Sequence, residues 1–232
     1  MALTPLMTFK VAKAIKAGAR IASMGYPDII APESVVEKLT ATCLRPLRYR
    51  VDSELICKRH GINPHRRIPE AESFFESLGA TLDVFDVVQE RGGEIVCDLN
   101  FPVDEKHRGQ YDIVLDPGTL EHCFNVAQAA FNMAGLLKVG GLIFHENPFN
   151  WGNHGFYGLN PTWYADFYGQ PGFALHDCRL LMRDGTHAVV EDKARVRRFM
   201  WSGGEANCYA VAERTQILPL TFPTQTKYRR AS

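Results

Sequence analysis

Apolar residues run unbroken from Ile113 to Leu115, a length that suits a buried strand. The run stops at Asp116-Pro117-Gly118, a turn signal in which glycine supplies backbone that other residues resist. Apolar positions then recur at about one helical turn, at Leu120, Phe124, Ala127 and Phe131. Strand, acidic turn and helix form the unit of an open parallel α/β sheet, whose ligands gather at the carboxyl ends of the strands. Asp116, Gly118, Glu121 and His122 are therefore candidate site residues.

The same pattern can be followed along the whole chain. Lys10, Lys13, Lys16 and Arg20 interleave with Phe9, Val11, Ala12, Ile15 and Ala17, which predicts an amphipathic helix rather than a targeting peptide. A first strand from Arg20 ends at Met24-Gly25, followed by Tyr26-Pro27-Asp28. Residues 31 to 79 exceed one crossover helix and carry three helical patterns: one from Pro32, one through Val51, Leu55 and Ile56 ending at Gly61, and one from Pro69 to Gly79. Residues 80 to 86 and 94 to 99 read as strands, ending at Asp86 and at Asp98-Leu99. Gly140-Gly141 precedes a strand from Leu142 to His145, and Asn160-Pro161 opens another helix. Residues 173 to 182 and 205 to 212 read as the last two strands, with Gly203-Gly204 in the turn between them. There is no internal repeat.

At 232 residues, one domain with a helical insertion at about 31 to 79 is the natural expectation. The 26 basic and 26 acidic residues balance, so no whole-molecule field argues for nucleic acid or a membrane surface. No apolar run approaches the length of a membrane span. Six cysteines without a Cys-x-x-Cys pair read as free thiols in a reducing, cytoplasmic setting. Locally the balance breaks: Arg45, Arg48, Arg50, Lys58, Arg59, Arg66 and Arg67 lie between residues 45 and 67, against only Asp52 and Glu54. They form either a solvated surface or an electropositive lid in which Arg66 and Arg67 meet an anionic acceptor. Lys227, Arg229 and Arg230 form a short basic tail.

Asp112-Ile-Val-Leu-Asp-Pro-Gly-Thr-Leu-Glu-His resembles the fourth-strand motif of class I S-adenosylmethionine-dependent methyltransferases. Cys97-Asp98-Leu99-Asn100-Phe101-Pro102 is similar to that family's third-strand motif, and residues 137 to 144 to its helix, glycine turn and fifth strand. The resemblance implies a Rossmann-like three-layer sandwich: a mostly parallel, seven-stranded sheet with an antiparallel last strand. It implies S-adenosyl-L-methionine as cofactor. Asp86 would take the ribose hydroxyls, and Asp98 and the Leu99 backbone the adenine. Met24 and Gly25 would meet the methionine moiety, with Asp116 and Gly118 beside it. The family's glycine-rich first loop is reduced here to Gly25. Asp28 either receives the cofactor's ammonium group or caps the next helix.

Loops after the later strands face the acceptor in this fold. Glu121, His122, His145, Asn147 and Trp151 are thus candidate acceptor-binding residues. A hydroxyl acceptor must lose a proton, and histidine titrates closest to neutral pH. His154, beside Gly155 and among Asn153, Phe156 and Tyr157, is the candidate base, with Tyr157 orienting the acceptor. The spacing of His145 and His154 matches no metal motif, and none is expected. The functional expectation is methyl transfer to oxygen or nitrogen of a small, metabolite- or sugar-like acceptor, anionic if the arginines serve it. The alternatives are a nucleic-acid methyltransferase and a non-catalytic cofactor-binding scaffold. Oligomeric state stays open.

Overall fold

The computed structural model describes all residues except 44–45, 183–184, 191–198 and 230–232, so Arg45 and Arg230 lie outside the described residues. Two compact units divide the chain, Met1–Cys97 and Asp98–Ser232.

In the first unit, β1 (Ala2–Leu3) pairs in parallel with β3 (Asp28–Ile29). Helix α1 (Pro5–Ala14) forms where expected, starts at a Thr4 cap and buries Met7, Thr8 and Val11. Of the expected apolar face, however, Phe9 is exposed, and Ile15 and Ala17 lie beyond the helix end. Strands β2 (Arg20–Met24), β4 (Thr81–Asp86) and β5 (Ile95–Val96) run parallel in the order β2-β4-β5. Arg20 opens β2 and bonds Asp83 within β4, while Asp86 closes β4. Between β3 and β4 lie α2 (Glu33–Thr40), α3 (Ser53–His60) and α4 (Ala71–Ser77). Gly61 ends α3 with φ 64°, the left-handed conformation that closes a helix. Val51 is fully exposed in the turn before α3 rather than on its buried face, and Ile56 and Cys57 pack on Ile68 instead.

The second unit holds β6 (Tyr111–Asp116), β7 (Leu137–Pro148), β8 (Phe173–Met182), β9 (His187–Val189) and β10 (Ala206–Arg214), with α5 (Val126–Leu136) and α6 (Pro161–Tyr168). Their order is β6-β7-β10-β8-β9. β6 and β7 are parallel, and β10 runs antiparallel to both its neighbours. The fold is α/β with a large, mostly parallel sheet and a reversed late strand, as the motifs imply. Among the described residues the strands of the first unit's parallel set (three) and of the second unit's sheet (five) number eight, not seven: the addition is β9, which folds back on β8 as a hairpin.

One element departs from its pattern. The expected helix from Leu120 is a single 3-10 turn (Leu120–His122), after which the chain extends through Cys123. The cause is Asp116, whose Oδ1 accepts from the amides of Thr119 and Leu120 and closes a tight turn. A new helix then starts at α5, where Asn125 Oδ1 accepts from the Gln128 amide. Phe124 falls in the gap and is 70% exposed. At its far end α5 runs straight into β7, and the buried Arg214 guanidinium donates to the carbonyls of Ala134, Gly135 and Leu137.

Candidate active site

In the first unit the candidates sit where β2 and β4 end. Gly25 has φ 75°, and a Cβ there would lie 2.0 Å from Met1 Sδ and 3.6 Å from Asp86 Oδ2. The positive φ requires glycine, whereas the flexible end of the Met1 side chain could move aside. Met24 beside it is fully buried. Asp86 Oδ1 accepts from the Val87 amide at 2.7 Å and weakly from Val88 at 3.4 Å.

Asp28 caps no helix. It lies in β3, where Oδ2 is 3.0 Å from His60 Nε2 and Oδ1 is 3.5 Å from Arg50 Nη1. Arg50 also forks onto Asp52 at 2.9 and 2.7 Å. Arg48 pairs with Glu70 at 2.8 Å and Glu76 at 3.7 Å. Arg66 donates to the carbonyls of Ile30 and Ala31, and the Arg67 guanidinium stacks 4.3 Å over the Tyr49 ring. These arginines hold the insertion together.

In the second unit, Asp98 Oδ1 accepts from the Asn100 amide and side chain, at 2.9 and 2.8 Å. The buried Asn132 of α5 fixes the segment that follows, donating to the carbonyls of Leu99 and Phe101 and accepting from the Val103 amide. Periodicity marks Asn132 only as a polar residue on an otherwise apolar helix face, which was the available signal.

At the ends of β6 and β7, side chains pair in two buried chains. Asp116 Oδ2 lies 2.7 Å from His145 Nδ1, whose Nε2 lies 2.6 Å from the Tyr168 hydroxyl. Asn147 donates to Glu121 Oε2 at 2.9 Å and accepts from the Tyr164 hydroxyl. His145 and Asn147 are thus interior residues with their polar atoms engaged. Burial first, and the neighbouring Asp116 charge second, push the Glu121 carboxyl up to about 7. Burial, and then the approach of His154, lower the affinity of His122 for its proton. Gly118 is needed at φ 94°, where a Cβ would come within 3.2 Å of Glu121 Oε1.

The loop after β7 folds back on this cluster. The Phe156 amide donates to the Glu121 carbonyl at 2.8 Å, and a Cβ at Gly155 would lie 2.8 Å from the same oxygen. His154 Nε2 is thereby held 3.7 Å from Glu121 Oε1, and His122 Nε2 stands 3.8 Å from that oxygen. Trp151 lies edge-on to His154 with ring centroids 5.5 Å apart. Tyr157 donates its hydroxyl to the Phe124 carbonyl at 2.8 Å, so it secures the loop. The arrangement brings together one buried carboxylate of raised proton affinity and two half-exposed imidazoles, a set able to accept, pass on or share a proton.

No family model and no curated protein sequence matches the chain. Solved structures do match it. A candidate methyltransferase from Bacillus halodurans superposes with a TM-score of 0.50 at 8% identity, over 91% of this chain and 99% of that one. A candidate sarcosine dimethylglycine methyltransferase from Galdieria sulphuraria gives 0.50 at 9% identity, over 91% and 84%. The Burkholderia thailandensis 1,6-didemethyltoxoflavin-N1-methyltransferase, solved with 1,6-didemethyltoxoflavin and S-adenosylhomocysteine, gives 0.47 at 14%, over 86% and 72%. What the two superpositions at 0.50 establish is the fold: this chain has the Rossmann-like α/β architecture of those proteins.

Proposed function

We propose that the protein is an S-adenosyl-L-methionine-dependent methyltransferase acting on oxygen or nitrogen of a small acceptor. The observation that supports this most is β10, antiparallel to both β7 and β8, in a chain whose strand-end motifs are those of that family. A dinucleotide-binding dehydrogenase would carry Gly-x-Gly-x-x-G after its first strand, whereas Gly25 stands alone after β2.

The donor groups suit the cofactor. Asp86, at a strand end beside the bare Gly25 backbone, is the ribose ligand, because one carboxylate can accept from two hydroxyls. Asp98, exposed, and the Leu99 backbone, fixed by Asn132, are the adenine contacts. Met24 and Gly25 meet the methionine moiety. Asp116 acts by holding the turn that contains Gly118, through the Thr119 and Leu120 amides. When bound, the cofactor supplies an electrophilic sulfonium methyl group.

The chain's own task is to hold the acceptor in line, exclude water and take its proton. His154 Nε2 is the proton acceptor, with Glu121 3.7 Å away to balance the imidazolium that forms. Trp151 and His122 border the acceptor, and Tyr157 positions the loop. Arg48, Arg50 and Arg66 are already engaged within their own unit, which argues against their serving a nucleic-acid substrate or an arginine lid. One observation supports a second reading, a scaffold without catalysis: the Met1 thioether already lies against Gly25.

Isothermal titration with S-adenosylhomocysteine tests the cofactor. Saturable binding to the wild type, weakened in Asp86→Ala, is the expected result. No binding by folded wild-type protein overturns the proposal, and binding without methyl transfer to any hydroxyl or amine acceptor favours the scaffold.

A further inference from the structure

Glu121, His122 and His154 form a cluster whose ligand atoms, one carboxylate oxygen and two imidazole nitrogens, all lie within 4.8 Å of one another. We propose that these three residues bind a divalent transition-metal ion of the zinc, iron or cobalt type. Ligands about 2.0–2.2 Å from such an ion stand roughly 3.0–3.5 Å apart. Glu121 Oε1 is 3.7 Å from His154 Nε2 and 3.8 Å from His122 Nε2, so closure requires only modest rotation of the two histidines. Both rings are half-exposed, with side chains 45% and 52% exposed, while the carboxylate is buried at 1%.

Several features make this a built site rather than a chance meeting of side chains. Glu121 has its second oxygen tied to Asn147, which is tied to Tyr164, and such outer bonds aim a metal-binding carboxylate. The Phe156 amide bonds the Glu121 carbonyl, and Gly155 packs so closely on that carbonyl that any side chain would collide. Asn153, just before His154, adopts φ 56°, a left-handed turn conformation that asparagine accommodates better than most residues. The loop is thus shaped to bring His154 to Glu121. Asp116 is buried nearby and bonded to His145, leaving Glu121 as a second interior carboxylate that a cation would neutralise.

Two imidazoles and one carboxylate suit zinc, iron or cobalt, whereas magnesium and calcium prefer oxygen alone. Three protein ligands also leave coordination positions open, the mark of a catalytic rather than a structural site. An acceptor hydroxyl in an open position would lose its proton more readily, with His154 then serving as ligand rather than base. That role rests on the methyl-transfer reading, but ion binding does not.

The test is cobalt titration of the full chain after chelator treatment, without cofactor or acceptor, followed by visible absorption. One cobalt ion per chain, with ligand-field bands and no thiolate charge transfer, is expected. His122→Ala and His154→Ala, both at exposed positions and checked by circular dichroism, should each weaken binding by at least about 100-fold. Asn147→Ala, acting through Glu121, should weaken it by about 10–100-fold. No binding by the wild type, binding unchanged in both histidine variants, or a thiolate band placing the ion on cysteine would each overturn the proposal. Failure to bind S-adenosylhomocysteine would leave it standing.

Discussion

Asp116 and His145 are register partners across β6 and β7, and their side chains meet at 2.7 Å with neither exposed. The imidazole bridges Asp116 to the Tyr168 hydroxyl of α6, so an acidic strand end, its neighbouring strand and a covering helix share one hydrogen-bonded chain. With Nδ1–H donating to the carboxylate, Nε2 accepts from tyrosine. His145→Ala should leave a buried carboxylate oxygen and a buried hydroxyl without this partner and lower stability by roughly 1–3 kcal/mol in urea unfolding. A loss under about 1 kcal/mol would mean that water replaces the ring.

Asp86 serves its own turn through only one oxygen, Oδ1. Asp86→Asn keeps an acceptor for the Val87 amide but loses the charge, so it should fold normally yet bind S-adenosylhomocysteine at least about tenfold more weakly. Equal affinity in calorimetry would remove the ribose assignment.

Arg50 is nearly buried between Asp28 and Asp52, and Arg66 reaches the carbonyls of Ile30 and Ala31. Arg50→Met should therefore lower the melting temperature by several degrees. Arg66→Met should do likewise. Acceptor KM should stay unchanged in both. A raised KM with unchanged stability would return these arginines to the lid reading.

Much of this arrangement is legible along the chain because it depends on local spacing. β8 spans the residues its apolar pattern marks, Asn160 caps α6, and Gly61 closes α3. What periodicity misses is set by side-chain caps that compete with it locally and by partners distant in sequence. The interruption after Leu120 arises because Asp116 competes for helical amides. The end of α5 depends on Arg214, from another strand, reaching its carbonyls. β9 has only three residues, too few for any alternation to register. In the site, the acids at strand ends were visible, but the character of Glu121 was not. It comes from burial beside Asp116 and from a loop that arrives 33 residues later, where His154 follows Glu121 in the chain.

Glu121 gives the protein a specific pH signature in the presence of chelator. Its carboxyl is raised from 4.5 to about 7, by burial and then by Asp116, and the His122 and His154 rings lie near it. Between those values the folded chain holds a proton that the unfolded chain has released. The contribution of Glu121 to stability should therefore fall as pH rises from about 4.5 to about 7 and flatten above. His122 contributes in the opposite direction, so the effect is read as the difference between the wild type and a Glu121 variant. Glu121→Gln should remove that slope and be the more stable protein at pH 8. Identical pH profiles for the two proteins would show that Glu121 titrates normally.

His154 is half-exposed, and its Nε2 faces the Glu121 carboxylate at 3.7 Å. If it accepts the acceptor's proton, that carboxylate stabilises the imidazolium, and the benefit exists only while the ring can take a proton. Methyl transfer assayed with chelator, so that no bound ion contributes, should show an acidic limb in kcat. A general base contributes about 10²–10⁴-fold, so His154→Ala should lower kcat on that scale. Calorimetric affinity for S-adenosylhomocysteine should not change, because the ring is assigned to the acceptor and not to the cofactor. His122→Ala, whose ring lies edge-on to His154 with centroids 5.2 Å apart, should have a smaller effect, altering acceptor KM more than kcat. A His154→Ala enzyme within about threefold of wild type would mean that orientation alone drives transfer.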